Sequence, residues 1–401
     1  MPTASGATQD EIRRRNVSTL LRQVHVQGQL SRAQLTARMG LNRSTIKALV
    51  GDLCEAGLVV ETIPETGLRA GRPSHLVGPR SDTAYVLAAN LGVDTVTVAA
   101  VGLGGVINAR SEYRLPGPGV DYEVVIERLA AELRTLSKSV KPGAWLAGVG
   151  VGVPGAIRQA DGFVEFAPNL GWRGVPFAQL LSQRLGLPVQ TSVGNDGDLG
   201  GLAEHLRGAG RGIGHLIYLS GEVGIGGGIV VDGRMLTGAH GYGGELGHMM
   251  VNPNGRPCRC GSRGCFETEA GEDAVLVACG RTAGGGRAAL LEVFAAASQG
   301  EERALEGLQS IAVWVARGLT SLVNILNPDV VILGGPLSSL FFLTGDRIKS
   351  EMDSMSTFAS RSGVRLLQPG LGEDSSLLGA AELAFGPLLD DPVDAWSRRA
   401  S

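Results

Sequence analysis

Residues 243–267 read GGELGHMMVNPNGRPCRCGSRGCFE. This stretch contains one imidazole and three thiols within 18 residues, namely His248, Cys258, Cys260 and Cys265. Structural zinc sites are tetrahedral and are closed by four nitrogen or sulfur ligands from the protein, so the stretch predicts a structural Zn²⁺ loop. Gly261 and Gly264 predict tight turns between the thiols. Two carboxylates, Glu245 and Glu267, flank the cluster and are not needed as metal ligands.

The rest of the chain has the composition of a globular protein with two or three domains. Of its 401 residues, 43% are hydrophobic, 19% are charged and 61 are glycine, which predicts many tight turns. Of the five cysteines, only Cys54 and Cys279 lie outside the cluster. This distribution favours metal binding in a reducing compartment over a set of disulfides. The sequence has no signal-peptide pattern and no 18-residue apolar stretch, so we expect a cytoplasmic protein that does not bind membranes.

The charge is distributed unevenly along the chain. Residues 1–80 carry 11 Lys or Arg and 6 Asp or Glu, whereas residues 81–401 carry 25 and 33. A basic head on an acidic body predicts that the head binds a polyanion.

The basic head has the pattern of a winged helix-turn-helix. Apolar residues recur at helical spacing in three successive segments of residues 9–56. The cap signals around these segments are Gly28, a capping box from Ser31 to Gln34, Gly40, Asn42 and Gly57. Residues 58–63 and a strand that ends at residue 77 then predict a β-hairpin around a turn at 64–67. We assign residues 1–80 to this domain.

The third helix of such a domain places its N-terminal residues at base edges in the major groove. The polar residues at that end are Arg43, Ser44, Thr45 and Lys47. The wing adds Arg69 and Arg72, and arginine is attracted to narrow minor grooves. These six residues predict an interface for operator DNA. The alternative is a protein-interaction domain with solvated charges.

The acidic body has the pattern of an α/β fold with polar loops at the ends of its strands. A hairpin over residues 85–101 comes first, and buried strands over 145–153, 189–193 and 330–333 end in loops that carry glycine or polar residues. A long helix over residues 304–326 precedes the last of these strands. In folds of this class, ligands bind at the carboxyl ends of the strands.

Several motifs of the body resemble those of the ROK family (repressors, open reading frames and kinases). In chain order the motifs are GVGVPGAI (150–157), APNLGW (167–172), Asn195-Asp196, GIGGGIVVDGR (224–234), the GGELGHM and CRCGSRGC segments of the zinc loop, and VILGGP (331–336). The resemblance covers about residues 82–387, and the head is similar to that of the repressor branch. It implies an α/β body of the two-lobed actin-like ATPase type, with lobes over 81–195 and 196–401 and a final helix that could return to the first lobe.

The resemblance also implies a monosaccharide site. In ROK sugar kinases the Asp of an Asn-Asp pair is the general base, and Asp196 matches it here. The other positions that match sugar-binding residues of the family are Asn169, Asn195, Glu245, His248 and Glu267. The zinc loop would hold the two glutamates in place. The alternative roles are turn formation for the asparagines and solvated loop acids for the glutamates.

Both phosphate-binding motifs of the body depart from the kinases that they resemble. Where ROK kinases have Asp-x-Gly-Gly-Thr, this chain has Asn90-Leu91-Gly92-Val93-Asp94, and Glu222 takes the place of a Thr in the second motif. A carboxylate about 4 Å from a phosphate charge costs about 4 kcal/mol at an effective dielectric of about 20. We therefore predict no phosphotransfer, and a role for Asp196 as a hydrogen-bond acceptor for sugar.

The sequence thus predicts a sugar-responsive transcriptional regulator, most simply a repressor that acts as a homodimer or homotetramer because winged-helix readers usually need two half-sites. A bifunctional ATP-dependent sugar kinase with a DNA-binding arm is the first alternative. A regulator that responds to a protein partner instead of a sugar is the second. The identity of the sugar, and whether it releases or promotes DNA binding, stay open.

Overall fold

Three helices and a small sheet form the head of the computed structural model, which describes residues 8–63, 75–117, 119–221, 223–355 and 363–400, with side chains up to residue 397. The elements of the head are α1 (Gln9–Gln27), β1 (Leu30–Ser31), α2 (Arg32–Met39), α3 (Arg43–Glu55), β2 (Val59–Thr62) and β3 (Leu76–Pro79). Strand β3 pairs antiparallel with both β1 and β2. The three helices and the β2–β3 hairpin confirm the predicted winged helix-turn-helix fold.

The helix ends of the head carry the cap residues that the sequence predicts. The side chains of Ser31 and Asn42 accept backbone N–H groups three residues further along, at 3.1 and 2.8 Å, which satisfies donors that a helix start leaves free. Gly40 ends α2 with φ of 65°, a conformation that favours glycine. The remaining predictions for the wing fall outside the described residues, namely the turn at 64–67, Arg69 and Arg72.

Two five-stranded sheets with the same topology form the body. The strands of the first lobe are β4 (Ala84–Leu91), β5 (Thr95–Gly102), β6 (Val106–Arg114), β7 (Trp145–Val153), β8 (Ala156–Arg158), β9 (Phe163–Ala167), β10 (Trp172–Val175) and β11 (Thr191–Asn195). Those of the second lobe are β12 (Leu216–Gly221), β13 (Ile225–Val231), β14 (Arg234–Met235), β15 (Val330–Gly334) and β16 (Arg365–Leu367).

The orders of the two large sheets are β11-β7-β4-β5-β6 and β14-β13-β12-β15-β16. In each sheet, three consecutive strands pair antiparallel, and two later strands pair in parallel beside the first of them. Strands β8, β9 and β10 form a separate small sheet in the first lobe. The repeated topology confirms the predicted two-lobed α/β body.

Helices pack against the sheets of both lobes. They are α4 (Tyr122–Ser139), α5 (Phe177–Leu185), α6 (Asp196–Arg207), α7 (Phe266–Ala270), α8 (Glu272–Ala278), α9 (Gly286–Ser298), α10 (Glu302–Leu326), α11 (Pro336–Met355), α12 (Ser375–Asp390) and α13 (Pro392–Ala400). None of the helices that the structure describes is both long enough and apolar enough to cross a bilayer.

Helices α6 and α12 pack closely together at the centre of the molecule. A Cβ atom on Gly379 of α12 would lie 1.9 Å from the carbonyl oxygen of Leu199 in α6, so only glycine allows this approach. Helix α12 also packs on β4 and β7 of the first lobe and contacts α1 of the head. The apolar cores of the head, α12 and one face of the first sheet form one continuous cluster.

Several elements were not predicted, including the polar strand β6, the short strands of the small sheet and the helices α5, α6, α9 and α11. Strand β6 alternates between exposed and half-buried residues over most of its length, as an edge strand with one solvated face does. Its apolar signal is therefore much weaker than that of β7, which is predicted with the observed bounds. The strands of the small sheet are only three to five residues long, too short for a period of two to stand out.

Candidate metal centre and interlobe cavity

The four predicted metal ligands converge on one point of the second lobe. Ligand atoms of His248, Cys258, Cys260 and Cys265 all lie within 4.8 Å of one another. The Cys258 Sγ lies 3.7 Å from the His248 Nδ1, and the Cys260 Sγ lies 3.8 Å from the Cys265 Sγ. Zinc–sulfur bonds of about 2.3 Å in a tetrahedron place neighbouring ligand atoms about 3.5–3.8 Å apart, so the residues fit a zinc ion.

A short, tightly turned loop brings the four ligands together. Antiparallel bridges join Met250 to Cys265 and Pro257 to Arg263, and the N–H of Cys258 donates to the Ser262 carbonyl at 2.8 Å. The two predicted glycine turns are present, with φ of 93° at residue 261 and 64° at residue 264. A bound zinc ion would crosslink the loop and keep the thiols deprotonated.

All six predicted sugar-site residues line one cavity of about 290 Å³ between the lobes, namely Asn169, Asn195, Asp196, Glu245, His248 and Glu267. They come from four separate segments of the chain, around residues 169, 195–196, 245–248 and 267. The cavity lies at the carboxyl ends of β7 and β11, where ligands bind in folds of this class. Its size and its many hydroxyl-binding side chains suit a small polar ligand.

Asp196 is the first residue of α6, and Asn195 is its N-cap. The Asn195 Oδ1 accepts the N–H groups of Gly197 and Asp198 at 2.8 and 3.1 Å, and its Nδ2 donates to the Gly155 carbonyl at 2.9 Å. Asn195 therefore has a capping role that fixes the start of α6. Its role as a sugar ligand stays a prediction. Both polar atoms of its side chain already form hydrogen bonds within the protein, so fewer remain for a sugar.

The His/Cys cluster and the cavity share the ring of His248. Its Nδ1 faces the thiols, while its Nε2 lies 3.9 Å from the Glu245 carboxylate. The Glu267 Oε1 lies 3.0 Å from the Cys258 Sγ and 3.6 Å from the His248 Nδ1. Partial burial raises the pKa of Glu245, and the charge of Glu267 adds to that rise against the opposing effect of His248. The loop that carries the His/Cys cluster thus forms one wall of the cavity.

Two residues of the cavity region were not predicted. The Nη1 of Arg259, which lies between two of the thiols in sequence, donates to the Asn169 Oδ1 at 2.7 Å across the cleft. The Tyr242 hydroxyl donates to the Glu165 Oε1 at 3.3 Å, also across the cleft. Both contacts join the two lobes beside the cavity. Arg259 lies within the CRCGSRGC motif and Tyr242 directly precedes GGELGHM, but neither motif indicates a contact across the cleft.

A smaller cavity of about 120 Å³ adjoins the first one beyond Val93. Its lining includes three acids, Asp94, Glu272 and Glu373, and one base, Arg287. Burial raises the pKa of Glu272, and the neighbouring Asp273 and Asp94 add to the rise. Residues of the first phosphate-binding motif that departs from the kinases, Asn90 to Asp94, line this cavity. Glu222 of the second phosphate-binding motif lies outside the described residues.

Asp198 lies behind the cavity and is 8% exposed. Its Oδ1 has no hydrogen-bond partner in the described part of the chain. Burial raises the pKa of Asp198 to about 7, and the charge of Glu245 contributes in the same direction. The carboxylate form is therefore costly for the folded protein.

Asp198→Asn is expected to raise the melting temperature, and to do so more at pH 8 than at pH 5.5. The folded-state pKa lies above the ordinary value of 3.8, so the wild type loses stability as the pH rises from about 4 to about 7. The full penalty is on the order of 4 kcal/mol and about half of it remains at pH 5.5. Thermal denaturation at both pH values measures this, with Asp94→Asn as a control. An equal gain at both would show that the charge of Asp198 is not the cause.

The predicted DNA-reading residues lie together at the N-terminal end of α3. Arg43, Ser44 and Lys47 are exposed and Thr45 is half-buried. The hydroxyl groups of Ser44 and Thr45 both donate to the Asn42 Oδ1, at 2.7 and 2.9 Å. The two cationic side chains, Arg43 and Lys47, are thus the stronger candidates for contacts with DNA.

The fold and the cavity define a sugar-kinase-like body that carries a winged helix-turn-helix head. The chain belongs to the ROK family, whose model matches residues 86–386. A xylose repressor of Caldicellulosiruptor bescii is 28% identical over 90% of this chain and 93% of its own length. A glucokinase of Halalkalibacterium halodurans is 31% identical over 76% of this chain and 95% of its own length.

The structural similarity extends over the head as well as the body. A crystal structure described as a ROK family transcriptional regulator, a homolog of the E. coli MLC protein, superposes with a TM-score of 0.76 at 24% identity. The match covers 94% of this chain and 97% of that one. The resemblance to the ROK family and the predicted fold class are both confirmed.

Proposed function

We propose that this protein is a sugar-responsive transcriptional repressor, with operator DNA bound by the head and a monosaccharide bound in the interlobe cavity. The observation that carries the proposal is the convergence of six hydroxyl-binding side chains on one cavity in a chain that also has a winged helix-turn-helix. The full-length similarity to a xylose repressor supports the same function.

The proposed ligand is an aldose in its pyranose form, with xylose and glucose as the first candidates. Vicinal hydroxyls of a pyranose match paired carboxylates and amides, which accept and donate hydrogen bonds in fixed geometry. A site of this kind rejects an analogue that lacks one hydroxyl, because a buried partner is then left unpaired. Calorimetry with a panel of pentoses and hexoses tests the proposal, and no binding of any sugar would contradict it.

The proposed zinc ion is structural. His248, Cys258, Cys260 and Cys265 would hold it, and it would fix the loop that carries Glu245 and Glu267. Because four protein ligands close a tetrahedral site, no position remains for a substrate on the metal.

The favoured effect of the sugar is release of the protein from DNA. A sugar changes the DNA affinity only by as much as its own affinity differs between the two forms of the protein, typically about 1–3 kcal/mol. A homodimer or homotetramer is proposed because two heads would read two half-sites of an operator.

A sugar kinase is the second candidate, favoured by the similarity to glucokinases. Against it stand Asn90, Val93 and Asp94 in the smaller cavity, where a triphosphate would meet an amide in place of a magnesium-binding acid and an added carboxylate. ADP release in the presence of ATP, Mg²⁺ and each sugar of the panel distinguishes the two functions. Sugar-dependent ADP release that Asp196→Asn abolishes would support the kinase.

Arg43→Ala is expected to weaken operator binding about 10–100-fold, because a base or phosphate contact from arginine contributes about 1–3 kcal/mol. Fluorescence anisotropy with DNA that the protein itself enriches from a random pool measures this. Arg134→Ala removes the same charge from the body and serves as the control. Sugar affinity is expected to stay unchanged in both variants. Normal DNA affinity of Arg43→Ala would exclude the N-terminal end of α3 as the reader.

A further inference from the structure

A buried polar network joins the head to the body. It consists of His25 in α1, Arg207 at the end of α6 and Glu382 in α12. The side chain of His25 is fully buried, and those of Glu382 and Arg207 are 4% and 11% exposed. We call these three residues the latch.

The latch contacts are short and connect all three helices. The His25 Nε2 lies 3.1 and 3.2 Å from the two Glu382 carboxylate oxygens, and the Arg207 Nε donates to the Glu382 Oε1 at 2.5 Å. The Arg207 Nη1 donates to the carbonyls of His25 and Gly104 at 3.0 and 2.9 Å. Burial alone would raise the pKa of Glu382, but His25 and Arg207 together lower it, so the carboxylate is ionised at neutral pH.

The direction of the hydrogen bonds identifies the donors within the latch. The backbone N–H of Gly104 donates to the His25 Nδ1 at 2.9 Å, so the Nε2 carries the ring proton that Glu382 accepts. The His25 ring also packs edge-on against Phe385 of α12, with centroids 4.9 Å apart. One side chain of the head is therefore fixed by the first lobe and α12 at once.

Of the two helices that carry the body half of the latch, α6 begins in the wall of the sugar cavity and α12 begins in contact with that end of α6. Helix α6 starts with Asp196 in the cavity wall and ends with Arg207, about 17 Å away at 1.5 Å per residue. The Ser376 hydroxyl in the first turn of α12 donates to the Asp196 carbonyl at 2.8 Å, and Glu382 lies further along the same helix. Helix α6 thus connects the cavity directly with the latch, and α12 does so through its contact with Asp196.

Helices α6 and α12 are held together as one unit. Glu204 of α6 is fully buried and accepts from the N–H groups of Gly370 and Leu371 and from the Ser375 hydroxyl, at 2.8–2.9 Å. Together with the close contact at Gly379, these bonds make independent sliding of the two helices costly. A displacement of Asp196 would therefore move Arg207 and Glu382 by a similar distance.

We propose that the latch is the contact through which sugar in the cavity changes the orientation of the DNA-binding head. The inference rests on the proposed function. His25, Arg207 and Glu382 would be the residues that position the head in response to the sugar. None of the three lines the sugar cavity or lies on the predicted DNA-reading end of α3, so they act through the helices that join them. The Arg207 Nη2 has no hydrogen-bond partner among the described residues, which leaves room for a second arrangement of similar energy.

His25→Phe tests the latch from the side of the head. Phenylalanine keeps the packing on Phe385 and leaves Glu382 paired with Arg207. It removes the acceptor of the Gly104 N–H and the donor to Glu382, but it changes no residue that lines the cavity. In the full-length, zinc-loaded protein, the affinity for the enriched DNA is measured with and without a saturating sugar. The wild type is expected to show a change of about 5–150-fold, and the variant less than about 2-fold. Its sugar affinity in the absence of DNA is expected to match that of the wild type.

Glu382→Gln provides a second variant in case His25→Phe disturbs folding, because glutamine keeps the size and one acceptor of the side chain. The matched control is Arg22→Ala, which removes an exposed ion pair between α1 and Asp390 and should retain the full sugar effect. By reciprocity, DNA should also lose its effect on sugar affinity in the latch variants.

The outcomes separate the latch from the proposed function. A sugar effect in the wild type that both latch variants lose, with unchanged sugar affinity and with both variants still folded, supports the latch. An undiminished sugar effect in either folded variant overturns it. No sugar effect in the wild type overturns the proposed function, and the latch with it.

Discussion

Asp196→Asn is expected to weaken sugar binding about 10–100-fold and to remove the sugar response at concentrations that saturate the wild type. Asp196 lines the cavity at the N-terminus of α6, where its carboxylate would accept hydrogen bonds from sugar hydroxyls. Hydrogen bonds to charged groups contribute about 1.5–3 kcal/mol each. Asparagine keeps the shape but loses the charge and one acceptor. Calorimetry measures the sugar affinity, and anisotropy measures the response of DNA binding.

The control for this variant is Asp232→Asn, which removes the same charge from an exposed position in the second lobe. Residue 232 has φ of 51°, a conformation that asparagine tolerates. The control is expected to bind sugar and DNA like the wild type. Wild-type sugar affinity of Asp196→Asn would instead place the sugar outside the interlobe cavity.

Cys260→Ser is expected to abolish stoichiometric zinc binding, to lower the melting temperature by about 3–4 °C and to weaken sugar binding. The other three ligands cannot close a tetrahedral site alone, and a loss of about 3 kcal/mol in a protein of this size corresponds to such a shift. Sugar affinity falls because the loop that carries Glu245 and Glu267 is no longer fixed. Elemental analysis, thermal denaturation and calorimetry measure the three effects.

Cys279→Ser is the matched control for the zinc variant. Cys279 is also a thiol of the second lobe, and it donates to the Ala304 carbonyl at 3.5 Å in the core, away from the cluster. Its hydroxyl replacement keeps a donor for that carbonyl, so zinc content and sugar affinity should be retained. A Cys260→Ser protein with unchanged metal content would contradict the ligand assignment.

The features that the sequence predicts well are those with local signals. The four residues of the His/Cys cluster lie within one loop, the Ser31 and Asn42 caps act on neighbouring residues, and β7 is a continuous apolar run. Each of these depends on contacts over a short stretch of chain. The resemblance to the ROK family then supplied candidates in distant segments, and the structure places them around one cavity.

The features that the sequence did not predict depend on tertiary contacts. His25 and Glu382 are 357 positions apart, and an isolated His at a helix end carries no sign of such a partner. Arg259 reaches Asn169 only because the two lobes face each other. The capping role of Asn195 was not predicted, although the Asn-Asp pair at the start of a helix has the pattern of an N-cap.

The most direct test of the proposed function is the DNA affinity of the zinc-loaded protein, measured with ATP and Mg²⁺ present, before and after addition of each sugar in the panel. The proposal predicts that one or a few related monosaccharides change the dissociation constant for the enriched DNA at least about 5-fold, while no ADP is released. A DNA affinity that no sugar changes would contradict it, as would turnover of ATP with the sugar that binds.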